Sequence, residues 1–76
     1  MSELLAYLAR QLVDDPDAVR VEEVEGEDTL VFRLYVAKDD VGKVIGRQGR
    51  LARALRAIVR AAGAHERRRL VLEIAD

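Results

Sequence analysis

Leu4, Leu5, Leu8 and Leu12 recur at the three- and four-residue spacing of one helical face, which predicts a first helix over about 3–14 with Ser2 as its N-cap. Asp14-Asp15-Pro16 stops it, because proline disfavours helical geometry in the residue before it. The period then changes to two. In VRVEEVE, Val19 and Val21 alternate with Arg20 and Glu22, and Gly26-Glu27-Asp28 supplies a turn. TLVFRLYV follows, with Leu30, Phe32, Leu34 and Val36 on one face and Val31, Arg33 and Tyr35 on the other. The two segments read as a β-hairpin with one core face.

Past the hairpin, Asp39 or Asp40 is placed to cap a short helix from Val41 to about Ile45, which glycines interrupt. A longer helix is expected from about Arg50 to Ala62. At 100° per residue, Leu51, Leu55, Ile58, Val59 and Ala62 gather on one side of it, and Arg53, Arg56 and Arg60 on the other, with Arg50 at their edge. Gly63 ends this helix, and LVLEI alternates again with Leu70, Leu72 and Ile74 facing in. The expected order is α-β-β-α-α-β: an α+β fold in which helices cover one face of a three-stranded sheet.

At 76 residues the chain is read as one domain, 1–76, near the lower end of what a single core supports. It has no cysteine and one histidine, His65, so neither a disulfide framework nor a zinc cluster can be built, and no cofactor or metal is expected. No run approaches the ~20 apolar residues of a membrane helix, and the acidic, amphipathic start lacks the cationic front of a signal peptide; a cytoplasmic location is expected. The net charge of −1 conceals an asymmetry. Residues 1–37 carry three arginines against nine acids, net −6, while residues 38–69 carry two lysines and eight arginines against three acids, net +7. A basic half on an acidic chain points to a local anion-binding face.

The basic half begins with GKVIGRQGR, Gly42 to Arg50, which sets three glycines and three cations around Val44-Ile45. Glycine costs roughly 1 kcal/mol in a helix relative to alanine, so its use between two helices needs a reason. A sharp helix-to-helix turn is one reason, since glycine accepts the required angles. A second is chemical. Arg47 and Gln48 are long hydrogen-bond donors, Arg50 follows, and the uncapped start of the next helix attracts phosphate. Glycines without side chains also let a sugar-phosphate backbone come close to the main chain.

Val44-Ile45-Gly46-Arg47-Gln48-Gly49, set between two helices in this element order, resembles the GxxG signature of the KH domain, a loop that clamps about four nucleotides. The order is that of the type II KH fold. Together with the opening helix, VDDPDAVRVEEVEGED and the last strand, the whole chain resembles the small stand-alone bacterial KH proteins of the KhpA family. The resemblance implies an RNA-binding protein that holds single-stranded RNA through Gly46, Arg47, Gln48 and Gly49, with Val44 and Ile45 forming part of an apolar groove. Arg50 and Arg53 directly follow the turn and are further RNA-contact candidates; Lys43, one turn before it, suits phosphate contact or solvation equally. Arg56 and Arg60, and the run Arg67-Arg68-Arg69, read as solvated charge. The resemblance also implies a homodimer or a heterodimer with a larger KH-containing protein. The role it implies is post-transcriptional regulation as an RNA chaperone, linked to cell shape.

Other classes fit poorly. The GxxxxGK[ST] and GxGxxG phosphate motifs are absent, no acid–base pair is placed in a pocket, and catalysis is not expected. Tyr7, Phe32 and Tyr35 are too few for an aromatic base-stacking platform. A protein-interaction adaptor on the same scaffold is the remaining alternative, because fold does not fix function. Val31, Tyr35 and Val71, on the sheet face away from the helices, are expected to leave apolar surface for a partner.

Overall fold

The strictly alternating segment becomes the middle of the sheet. In the computed structural model, which describes residues 1–76, strand β2 (Thr29–Tyr35) pairs antiparallel with β1 (Arg20–Glu25) and parallel with β3 (Arg69–Ala75), giving the order β1-β2-β3. Leu30, Phe32, Leu34 and Val36 are all buried, as the period-two pattern requires. Helix α1 (Ser2–Leu12) lies over β1 and β2, and α3 (Arg50–Ala62) lies along β3; the five-residue α2 (Val41–Ile45) sits between them and touches both helices. The α-β-β-α-α-β order and the one-sided helical layer are those expected from the pattern.

Helix α1 departs from its expected form at both ends. Met1, not Ser2, is the N-cap residue, and its carbonyl accepts the Leu5 N–H at 3.0 Å. Met1 packs against the core, which draws the start of the helix back by one residue and leaves the Ser2 Oγ buried without a hydrogen-bond partner. The far end stops at Leu12, because Val13 turns to extended geometry and packs on the core from outside the helix. The buried face consists of Leu5, Ala6 and Ala9, while Leu4 is 42% exposed. The small alanines let the helix axis approach the sheet, and the turn of helix that this selects leaves Leu4 on the flank.

The same shift occurs in α3. Its bounds are as expected, but its buried residues are Ala52, Leu55 and Val59; Leu51 and Ile58 stand 36% and 37% exposed, and Ala62 is exposed too. The apolar stripe is wider than the arc the sheet covers, so one flank remains in solvent. On the open face of the sheet Val24, Val31 and Val71 form one row across the three strands. Beside it, Arg33 pairs with Glu22 and Glu73, and the Arg20 guanidinium lies 4.0 Å from the centre of the Tyr35 ring.

Candidate nucleic-acid interface

Helix α2 ends where Gly46 takes φ 77° and ψ 171°, outside the range open to other residues. Position 46 is also crowded: a Cβ there would lie 2.9–3.0 Å from the Leu51 side chain and 3.0 Å from its amide nitrogen. This glycine is fixed by the fold. Gly49 differs, with φ 73° in the left-handed region but nothing beyond its own chain neighbours within 4 Å of where a Cβ would stand. Between them Gln48 also adopts left-handed geometry, φ 58° and ψ 24°. An ordinary residue in that region costs on the order of 1–2 kcal/mol, and Gln48 is exposed, so no burial of its side chain repays it. Backbone bonds from the Gly49 N–H to the Gly46 carbonyl, at 3.1 Å, and from the Arg50 N–H to the Arg47 carbonyl close the turn. Residues 46–49 therefore form a tight, protruding link with an open side at Gly49.

The charges around it are unsatisfied. None of Arg47, Arg50, Arg53, Arg56, Arg60 or Arg69 forms an ion pair within the chain, whereas Arg33, Lys43 and Arg68 all do. Arg50 reaches only the Gln48 side-chain oxygen, at 3.5 Å. No side chain caps the start of α3, so its partial positive charge faces the turn. From Arg50 to Arg60 the arginines recur along α3 for about 15 Å of helix. A groove of about 450 Å³ continues the track. Arg56 and Arg60 of α3 and Arg69 of β3 rim it, and Val59, Leu70 and Leu72 are among its apolar lining. Arg56, Arg60 and Arg69 are exposed, as expected of solvated charge, and also rim this apolar-floored groove. Their spacing in sequence carries no sign of this, because β3 must first return along α3 to supply the second wall.

Of Val44, Ile45 and Lys43, only Ile45 offers surface at the turn; Val44, expected in the apolar groove, has none to give because its side chain fills the core. Val44 is fully buried and anchors α2, and Ile45 is 37% exposed beside the turn. Lys43 points into a separate cluster: its Nζ lies 2.8 Å from Asp14 Oδ2 and 3.1 Å from Asp40 Oδ1. Asp14 first, then Asp40, hold the ammonium above the ordinary lysine range. Asp40 itself is the one buried charged residue, and its Oδ2 accepts the Asp15 N–H at 3.0 Å. Burial pushes its carboxyl up, but the Asp15 N–H and the Lys43 ammonium outweigh that and leave it below the ordinary carboxylate value. Arg68 is likewise bound, by Glu66 at 3.0 Å and Glu25 at 3.8 Å. The arrangement suits polyanion binding and offers no cluster of metal-ligating side chains. No helix is long and apolar enough to cross a membrane.

A family model described as "KhpA/KhpB, KH domain" matches residues 2–74. Among curated relatives, a protein of Caldanaerobacter subterraneus named RNA-binding protein KhpA is 49% identical over 97% of this chain and 99% of its own. Proteins of the same name from Clostridium acetobutylicum and Aquifex aeolicus are 50% and 49% identical, covering 97% and 100% of this chain and 99% and 96% of theirs. These relatives are named for RNA binding and not for a catalysed reaction. No solved structure matches the chain.

Proposed function

Because the chain belongs to the KhpA/KhpB family of KH domains, we propose that it binds single-stranded RNA, with residues 46–49 against the sugar-phosphate backbone. The observation that carries the reading is the continuity of an open, glycine-flanked turn with a row of arginines that have no carboxylate partner inside the protein. Arg47, Gln48, Arg50 and the start of α3 hold the first phosphates. Ile45 supplies apolar surface at the turn above the buried Val44, Arg53 continues the row, and Arg56, Arg60 and Arg69 guide the strand along the α3–β3 groove. Lys43 serves this site from behind, by holding α2 in place.

The test is the double substitution Arg47→Asp, Gln48→Asp, assayed with mixed-sequence single-stranded RNA at two salt concentrations. Wild-type affinity falls with salt, at about 0.7 in the log–log slope per phosphate neutralised. The double variant folds normally and loses about a hundredfold in affinity, as expected when two like charges replace the donors. Salt-independent binding, or a double variant that binds as well as wild type, would leave the protein-interaction adaptor as the better reading.

One short groove binds weakly by itself, so the working form is a homodimer or a heterodimer with a larger KH-containing protein, in which linked sites raise effective concentration. Exposed Ile45, Leu51 and Ile58 support this association by offering apolar surface next to the turn and along α3. In that form the protein acts as an RNA chaperone in post-transcriptional regulation.

A further inference from the structure

We propose that Asp40 is a positioning residue for the turn: its carboxylate ties the start of α2 to the α1–β1 connection and so sets where residues 46–49 are presented. The inference rests on the RNA-binding reading above, and names the residue that holds that site in shape.

Asp40 stands at the N-cap of α2, where an aspartate ordinarily accepts an N–H of its own helix, yet it makes no such bond. Its carboxylate reaches instead to the Asp15 N–H, 25 residues earlier in the chain, and to Lys43 one turn ahead. The local cap is given up for a tertiary tie. That exchange matters because α2 has five residues, too few to be stable alone, and takes its orientation from what its two ends touch. Val44, with no exposed surface, provides an apolar pivot near the far end. Val41 also packs against the core from the first turn, but apolar contacts are non-directional, and any rotation about Val44 carries Gly46–Gly49 with it. Asp40 supplies the second fixed point. Lys43 adds a third strand to the tie by bridging Asp40 to Asp14 in the same connection.

The experiment compares wild type, Asp40→Ala, Asp40→Asn and Lys43→Met as full chains. Each is studied well below its own unfolding midpoint, by affinity for a fluorescein-labelled single-stranded oligoribonucleotide and by the amide NMR positions of Gly46 and Gly49. In Asp40→Ala the fraction of molecules presenting the turn correctly falls to about a tenth, so affinity drops about tenfold while the domain remains folded. The Gly46 and Gly49 amides shift with it. Asp40→Asn keeps an acceptor for the Asp15 N–H and returns affinity to within about threefold of wild type. Should Asp40→Ala not fold, Lys43→Met carries the test, with about a threefold loss and displaced Gly46 and Gly49 amides. A folded Asp40→Ala, or in its place Lys43→Met, with wild-type affinity and unmoved glycine amides overturns the proposal, since Asp40 then stabilises the fold alone. If wild type binds no RNA, the RNA reading fails; the glycine amides still decide whether Asp40 positions the turn.

Discussion

Helix α2 is only five residues long, yet its two ends treat charge in opposite ways. At its start Asp40, Lys43 and Asp14 satisfy one another, and the carboxylate is withdrawn from solvent. At its end Arg47 and Arg50 are exposed without carboxylate partners beside a backbone that two glycines keep open. A charge matched inside the protein builds shape; a charge left unmatched waits for something from outside. Cationic side chains thus take different roles within a single short helix and its flanks, and their neighbours decide which.

Substitutions at the turn end sharpen the contrast most. Gly46→Ala puts a Cβ against Leu51 at positive φ and is expected to lower folding stability by about 2 kcal/mol in denaturant titration. Gly49→Ala, with open space but similar φ, is expected to lose only about 1 kcal/mol. A reversal of that order would contradict the crowding at position 46. Gln48→Gly relieves left-handed strain and raises stability by up to about 1 kcal/mol, and in the same variant RNA affinity falls as a donor is lost.

Charge removal gives smaller effects that separate the two ends cleanly. Arg60→Gln should weaken RNA binding a few-fold and lower the log–log salt slope by about 0.7, with no change in thermal midpoint. Acid acts at the opposite end. The Asp40 carboxyl is held below its ordinary value of 3.8, so below that pH the unfolded chain binds more protons than the folded one. Its contribution is present above pH 3.8 and is lost as pH falls through the folded-state value. The thermal midpoint of wild type should therefore decline in acid, and Asp40→Asn should show a shallower decline over the same window. An unchanged acid limb in that variant would mean that Asp40 carries no linked stability.

The elements themselves were legible because each is written in a local period. β2 alternates without a break, and α3 runs between a glycine turn and Gly63, so α2 and α3 lie at about the bounds the sequence predicts. What a period does not encode is the width of the arc that a neighbour covers. Leu51, Ile58 and Leu4 share stripes with buried residues and yet remain exposed, while Ala52, Ala6 and Ala9 take the core positions. The turn was likewise readable from its residue types alone. The tie from Asp40 to Asp15 and the groove between Arg60 and Arg69 were not, because both join segments that meet only after folding.

The parallel pairing of β2 with β3 joins Thr29 to Arg69 and Tyr35 to Ala75. The groove beside α3 therefore depends on pairing segments that are far apart in sequence, with the turn at residues 46–49 lying inside the loop that this pairing closes. Closing so long a loop is slow compared with forming the hairpin or the helices. The second wall of the α3–β3 groove is consequently a late arrival in folding, set in place after the hairpin and the helices it closes against.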